Sequence, residues 1–194
     1  MRKSDKARPD PSGSYLHKQA VCERVIGMFY YELFEALHKA QVRYLVVGGL
    51  SVNLHGVPRV TADVDLVIAM DRKNIQSLAN VLKALDFLPR LPVNPEELSD
   101  PEKVKTWIEE RNLKAFTFYH RKDNYKSVDI VLVHPLDFDK AFVNKTTKTA
   151  KEIEIYVASV DDIIVMKEWS GRKQDLSDAA LLRRVKEIEG SGNE

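Results

Sequence analysis

The segment 44–70 constrains the fold more strongly than any other part of the sequence. An apolar run, Tyr44–Val47, ends in the pair Gly48-Gly49, and residues 50–54 are typical of a short helix. A second apolar strand follows at 63–70. Glycine adopts the tight-turn conformations that other residues avoid, so the pair marks where the first strand stops. The segment therefore predicts a strand, a glycine turn, a short helix and a second strand.

Two aspartates lie in the second of these strands. Asp63 and Asp65 are two residues apart, so strand periodicity places both carboxylates on one face. Carboxylates that share a face can hold divalent ions about 3.5–4 Å apart. However, an acid-x-acid pair is expected about four times by chance in a chain with 29 acids among 194 residues. The apolar residues that would face the core are Val64, Leu66, Ile68 and Met70.

The glycine turn is a candidate anion site. Gly48 and Gly49 lead into the short helix, and 13 residues separate Gly49 from Asp63. Backbone amides in such a turn can approach a phosphate closely, because no Cβ blocks the way. Ser51, in the first helical turn, can add a hydroxyl group. A plain strand-to-helix turn would have the same sequence, so both interpretations stay open.

A third carboxylate, Asp129, is the only acid within the apolar run Val128–Leu132. Strand periodicity places it on the face opposite Val128, Ile130 and Leu132. It is either an exposed edge residue or a partner of Asp63 and Asp65. In the second case it completes a metal site and can accept the proton of an attacking hydroxyl.

The remaining chain alternates helices and strands, and helices flank a strand-rich centre. Further helices are predicted at about 17–40, 72–85, 99–111, 159–169 and 175–189, where Asp71, Ser99 and Ser159 are the expected N-caps of the second, third and fourth. Further strands are predicted at 115–119, 127–133 and 153–158, and the first two are expected to form a hairpin joined by the polar residues 120–126. The expected class is therefore α/β or α+β, with a mixed sheet flanked by helices. We expect one domain at 15–158 with C-terminal helices at 159–189 packed on it. The arm 1–14 and the tail 190–194 are polar and are expected to be disordered.

The composition excludes several classes of protein. A hydrophobic fraction of 44% with 30% charged residues is typical of a soluble globular domain rather than a disordered chain. The net charge of +1 argues against a constitutive polyanion binder. No apolar run reaches the roughly 18 residues of a membrane span, and the single cysteine, Cys22, cannot form an intramolecular disulfide. We therefore expect a cytoplasmic protein without a membrane segment.

Three blocks of sequence resemble a known superfamily. Val47-Gly48-Gly49, then Asp63-Val64-Asp65-Leu66, then the strand Val128-Asp129-Ile130 resemble the nucleotidyltransferases of the DNA polymerase beta and kanamycin nucleotidyltransferase type. More narrowly, residues 48–66 look like the AbiEii-type group, which includes toxins of toxin–antitoxin systems. Val160–Lys167 followed by Gly171–Asp178 is similar to the C-terminal lysine helix of that group and the acidic stretch after it.

The resemblance implies a role for each matching residue. The nucleotide would be held by Gly48, Gly49, Ser51, Lys167 and Asp175, and Mg²⁺, or Mn²⁺, by the catalytic carboxylates Asp63, Asp65 and Asp129. Simpler interpretations stay open for several of these residues. Lys167 can be an ordinary exposed helix lysine, and Asp175 with Asp178 can cap the last helix. Arg59 and Thr61 either contact phosphate or only shape their loop.

The expected function is Mg²⁺-dependent transfer of a nucleoside monophosphate from a nucleoside triphosphate to a hydroxyl, with release of pyrophosphate. The first hypothesis for the acceptor is RNA, above all tRNA, with the protein acting as a toxin that has a cognate antitoxin. Its support is a local excess of four positive charges at 103–126. The alternatives are an aminoglycoside or lincosamide nucleotidyltransferase and a binding module that keeps the fold without turnover. Residues 87–114 match nothing in the resemblance.

Overall fold

The computed structural model describes residues 30–191. Residues 30–39 form helix α1, the C-terminal half of the helix expected at 17–40. The predicted arm 1–14, Cys22, the first half of that helix and residues 192–194 lie outside the described residues.

Within the described part of the chain, seven strands form one mixed sheet in the order β3-β4-β5-β2-β1-β7-β6. The strands are β1 (Tyr44–Val47), β2 (Asp63–Ile68), β3 (Phe87–Pro89), β4 (Ala115–His120), β5 (Asp123–Val131), β6 (Thr146–Ala150) and β7 (Ile153–Val157). β2 pairs antiparallel with β1 and parallel with β5, whereas β1 pairs parallel with β7. The expected mixed sheet is therefore confirmed, with β2 at its centre.

Helices cover both faces of the sheet. After α1 these are α2 (Gly48–Leu54), α3 (Arg72–Ala84), α4 (Pro101–Arg111), α5 (Phe138–Val143), α6 (Val160–Ser170) and α7 (Lys173–Ser191). A short 3₁₀ helix, Pro95–Ser99, precedes α4. Within residues 30–191, no helix is long and apolar enough to cross a bilayer.

Two apolar cores lie on the two faces of the sheet. The larger core contains Val64, Leu66 and Ile68 of β2 and Val128 and Ile130 of β5, together with side chains of α1, α3 and α4. The smaller core lies under α5, α6 and α7 and contains Val67 of β2. Because side chains alternate along a strand, Asp63 and Asp65 share the face of Val67. The helices α6 and α7 are thus on the same side of the sheet as both aspartates.

Several local predictions hold and several need correction. Asp71 and Ser159 cap α3 and α6 as expected, since each side chain accepts a backbone N–H of the first turn. The cap of α4 is Asp100 rather than Ser99, because the residues before it form the 3₁₀ helix. Met70 lies beyond the end of β2 and is 40% exposed, so it does not face the core. α7 extends to Ser191, two residues beyond the predicted end.

Besides the 3₁₀ helix, three short elements of the described chain were not predicted, and the hairpin is tighter than expected. β3, α5 and β6 contain only three to six residues each, and residues 146–149 of β6 are polar, so that only Ala150 of that strand is apolar. β4 and β5 leave only residues 121–122 between them, where the sequence predicted a polar connection of seven residues. β3, α5 and β6 are too short for a periodic pattern of apolar residues to be recognised in the sequence.

Candidate active site

Asp65 and Asp129 lie side by side on neighbouring parallel strands. The register of β2 and β5 pairs Asp65 with Asp129 and Asp63 with Ser127. Paired positions on neighbouring strands are about 4.8 Å apart and point to the same face. Asp63, Asp65 and Asp129 therefore occupy one face, as the sequence predicted, and we call them the carboxylate cluster. Ser127 was not predicted; its hydroxyl donates a 2.6 Å hydrogen bond to Asp63 Oδ1.

The negative charges of the carboxylate cluster are not balanced. Burial raises the pKa of Asp65 to about 6, and the neighbouring charges of Asp129 and Asp63 add to the shift. Burial likewise raises the pKa of Asp129, although a hydrogen bond from Thr117 opposes the change. Among the described residues, the buried Oδ1 of Asp129 has no hydrogen-bond partner. Each observation indicates that the positive charges nearby, Lys167 near Asp65 and Arg90 near Asp129, do not balance the acids of the cluster.

The glycine turn is built around Asp65. Gly48 has a φ of +63°, and a Cβ added there would lie 1.8 Å from Asp65 Oδ2. No other residue fits this position without displacing the carboxylate. The backbone N–H of Gly49 donates to the Asp65 carboxylate, which lowers its pKa in part. The predicted phosphate turn is thus in direct contact with the carboxylate cluster.

Ser51 differs from its predicted position. It is fully buried, and its hydroxyl donates a 2.8 Å hydrogen bond to the carbonyl oxygen of Gly48. In this conformation the hydroxyl stabilises the first turn of α2 and does not face the open side of the site. The reason is that residue 51 lies on the inward side of α2, which the residue types of the segment did not reveal.

Lys167 is buried rather than exposed, so the interpretation as an ordinary surface lysine is wrong. It is 5% exposed, and its Nζ lies 2.7 Å from Asp175 Oδ1 and 3.0 Å from Asp178 Oδ2. Arg59, on the loop before β2, forms a second ion pair with Asp178. We call Arg59, Lys167, Asp175 and Asp178 the ion-pair network. The positive charge of Lys167 lowers the pKa of Asp65 in part, so the network adjoins the carboxylate cluster.

Asp175 has a structural role larger than a helix cap. It is the third residue of α7, is 1% exposed, and accepts hydrogen bonds from Lys167, Ser170 and Arg172. Although burial raises the pKa of Asp175, these hydrogen bonds lower it to about 2. The carboxylate is therefore fixed in its charged form.

The residues of the carboxylate cluster fit a divalent cation. Carboxylate oxygens are the ligands that Mg²⁺ and Mn²⁺ prefer. The buried, partnerless Oδ1 of Asp129 beside Asp65 supplies donor atoms that a cation would satisfy. Within residues 30–191, no group of three His, Cys, Asp or Glu side chains is close enough to hold a metal ion without rearrangement. Asp63 is hydrogen-bonded to Ser127 instead. The cluster thus shares a face without being a closed metal centre.

Comparison with known proteins identifies the family. Residues 30–188 match the family described as nucleotidyltransferase of unknown function (DUF6036). The chain belongs to this nucleotidyltransferase family. No curated protein matches its sequence. The match supports the broad resemblance and the prediction of an enzyme, whereas the narrower resemblance to the AbiEii-type group has no support in the comparisons.

Two solved structures share the fold of this nucleotidyltransferase. One is a lincosamide antibiotic adenylyltransferase, LnuA, with lincomycin bound: the TM-score is 0.52 at 15% identity, over 80% of this chain and 96% of that one. The other is the antibiotic-resistance factor ANT(2'')-Ia in solution. Its TM-score is 0.51 at 9% identity, and the match covers 90% of this chain and 92% of that one. Identities this low establish a common fold and no more.

The nucleotidyltransferase also has a cavity of about 460 Å³ between α4 and the ends of β2 and β5. Val131, in its wall, lies two residues beyond Asp129 on β5, or about 7 Å along the strand. Burial lowers the pKa of His134, and its Nδ1 accepts the N–H of Leu136, so Nε2 carries the ring proton. The lining is mostly apolar and comprises Ile68, Met70, Leu98, Pro101, Val104, Lys105, Ile108, Glu109, Val131, Leu132 and His134.

Proposed function

We propose that the protein transfers a nucleoside monophosphate from a nucleoside triphosphate to a hydroxyl group of a small molecule, with Mg²⁺ or Mn²⁺ as cofactor. The observation that supports it most is the carboxylate cluster in contact with the glycine turn. Asp65 and Asp129 are adjacent, and Gly48 leaves no room for a side chain beside Asp65. This combination suits a site for a triphosphate with its cation.

In the proposed reaction, Asp63, Asp65 and Asp129 would hold the cation, and a bound cation would neutralise charge on the phosphate groups. The acceptor oxygen attacks the α-phosphorus, a new O–P bond forms, and the bond to pyrophosphate breaks. Asp129, which lies beside Asp65 and has a buried Oδ1 without a partner among the described residues, accepts the proton of the hydroxyl as a general base. Gly48 and Gly49 let the triphosphate approach the turn, and Lys167 supplies positive charge beside Asp65. Asp175 holds Lys167 in place.

The local charges favour a small acceptor over RNA. Of the seven basic residues at 103–126, Lys103, Lys122 and Lys126 form ion pairs with Glu97, Asp86 and Asp123. The excess of positive charge that supported RNA is therefore partly neutralised. One solved structure with the same fold is a lincosamide antibiotic adenylyltransferase with lincomycin bound, which supports a small molecule as the acceptor.

An RNA end is the second candidate acceptor, because Arg111 and Arg121 of the same stretch are exposed. Phosphate contacts by such residues would make binding strongly dependent on salt. The toxin role and its antitoxin partner rest on the narrower resemblance alone and form no part of the proposal.

The test is a transfer assay with Mg²⁺ and each α-labelled nucleoside triphosphate in turn. Lincomycin, kanamycin and total RNA serve as separate acceptors, and pyrophosphate release is measured in parallel. We expect label on a small molecule with the wild type and with Glu110→Gln, an exposed acid on α4, but not with Asp65→Ala. Label on RNA alone would replace the small-molecule acceptor with RNA. Absence of Mg²⁺-dependent triphosphate binding and of pyrophosphate release would contradict nucleotidyl transfer itself.

A further inference from the structure

Arg59 has one donor that the protein leaves unsatisfied. Its Nη1 pairs with Asp178 Oδ2 on α7, and its side chain is 21% exposed. Its Nε is buried and has no hydrogen-bond partner within residues 30–191. A buried donor without an acceptor is destabilising, so such groups are rare unless a ligand completes them. The edge of the guanidinium that carries Nε therefore lacks an acceptor.

The guanidinium lies against the glycine turn. Its Cζ is 3.3 Å from the place a Cβ would occupy on Gly49, the residue whose N–H binds Asp65. This contact is tighter than most contacts of a real Cβ, so a larger residue at 49 would push the arginine away. Arg59 thus brings a permanent positive charge to the turn that adjoins the carboxylate cluster.

The backbone around Arg59 is fixed from two sides. Asn53 Nδ2 donates a 2.8 Å hydrogen bond to the carbonyl oxygen of Arg59. The hydroxyl of Tyr30 donates to the carbonyl oxygen of Thr61 at 3.3 Å. The side chain therefore approaches the turn from a held loop, and little conformational freedom would be lost when a ligand binds.

Asp178, the ion-pair partner of Arg59, has a second positively charged partner. Asp178 also forms an ion pair with Lys167 at 3.0 Å, and Lys167 has Asp175 as a second partner at 2.7 Å. If Arg59 shifts towards a ligand, Asp178 remains paired with Lys167. The network can therefore adjust to a ligand at Arg59 without leaving a buried carboxylate unpaired.

We propose that Arg59 binds the triphosphate of the nucleotide and that Asp178 positions its guanidinium for this contact, an inference that rests on the proposed function. A phosphate oxygen is the acceptor that the Nε edge lacks. The planar fork of arginine matches two phosphate oxygens better than the point charge of a lysine does. The contact is non-covalent, so it acts on nucleotide affinity and orientation.

The test uses inorganic tripolyphosphate with Mg²⁺, which probes phosphate contacts whatever base the enzyme selects, together with the four nucleoside triphosphates. We expect Arg59→Gln to weaken binding of these ligands about 10- to 100-fold, the usual effect of losing charged hydrogen bonds. Arg59→Lys keeps the charge and should lose less, with an unchanged melting temperature. Binding of the four plain nucleosides should change less than twofold in both variants.

The matched control is Arg172→Gln. Arg172 also pairs with an acid of the ion-pair network, Asp175, but its side chain is 77% exposed. It should leave tripolyphosphate affinity within twofold. Equal losses for Arg59→Gln and Arg172→Gln, or losses as large for plain nucleosides, would assign Arg59 a structural role and overturn the inference. If the wild type binds triphosphates and Asp65→Ala abolishes transfer while Arg59→Gln binds normally, only the role of Arg59 fails. If the wild type binds no triphosphate, both proposals fail.

Discussion

The carboxylate cluster and the ion-pair network lie on the same side of the sheet but balance their charges in opposite ways. In the cluster, Asp65 and Asp129 are neighbours in register, and the pKa of Asp65 is raised to about 6 by burial and by the acids beside it. In the network, Asp175 is more deeply buried, yet hydrogen bonds from Lys167, Ser170 and Arg172 lower its pKa to about 2. Burial alone therefore does not decide whether an acid is charged; the charges and hydrogen-bond donors around it do.

The difference separates a binding role from a structural one. Charges that are paired within the protein gain little from a ligand, whereas unbalanced charges make the empty protein less stable and favour an added cation. Lys167 belongs to the network but also lowers the pKa of Asp65, so it connects the two regions. Substitution of an acid in the carboxylate cluster should therefore impair transfer and stabilise the metal-free protein, whereas substitution in the ion-pair network should destabilise the fold.

The largest expected effect is the loss of transfer in Asp65→Asn. Removal of one central carboxylate should lower the rate at least about 10³-fold, as loss of a main charged group in an active site does. The measurement is single-turnover transfer with Mg²⁺, and Glu110→Gln should retain the wild-type rate. A variant that kept more than a tenth of that rate would show that Asp65 is not central to the chemistry.

Next in size is the loss of stability in Lys167→Met. Two buried carboxylates, Asp175 and Asp178, would lose their shared cation, and breaking a buried ion pair costs about 3–5 kcal/mol. Urea unfolding measures the change in the free energy of unfolding. Lys186→Met is the control, because its pair with Asp161 is exposed and should contribute less than about 1 kcal/mol. Equal effects of the two variants would contradict the structural role of the network.

Two glycines in the left-handed conformation, one beside each region, test the difference between the regions by substitution. Gly48 adjoins the carboxylate cluster, and Gly171 ends α6 beside the network; their φ angles are +63° and +67°. An added Cβ would collide with Asp65 Oδ2 at Gly48 but would meet only a carbonyl oxygen 4.0 Å away at Gly171. Gly171→Ala should cost about 1–2 kcal/mol from backbone strain alone. Gly48→Ala should cost more and should also impair transfer, as measured by urea unfolding and the transfer assay.

The smallest expected effect is a gain of stability in Asp65→Asn without metal. An acid whose pKa is raised in the folded protein lowers the stability progressively as the pH rises from its ordinary pKa to the raised value, and the full cost is present above the raised value. The variant should therefore match the wild type below about pH 4 and become more stable through about pH 6, by about 1–2 kcal/mol at pH 7. Urea unfolding from pH 3 to 8 checks this. Mg²⁺ should stabilise the wild type more than the variant; a gain that does not depend on pH would contradict the charge argument.

The sequence by itself determined the features that depend on near neighbours. The alternation of aspartate with apolar residues from Asp63 to Leu66 placed both acids on one face, opposite Val64 and Leu66 in the core, because strand periodicity is local. The same holds for Asp129 between Val128 and Ile130. The caps at Asp71 and Ser159 were equally predictable, since each hydrogen bond spans only three residues.

Only the tertiary structure decided which of these residues meet. The register that pairs Asp65 with Asp129 joins residues 64 positions apart, and the pair between Arg59 and Asp178 spans 119 positions. The burial of Lys167 and Ser51 likewise depends on which face of α6 and α2 packs inward. Local periodicity restricts the direction of a side chain along its own element, but it does not show that Asp129 lies beside Asp65 and raises its pKa, or that Arg59 pairs with Asp178. The long-range packing of β5 on β2 and of the loop of Arg59 against α7 therefore decided the charge balance of the site.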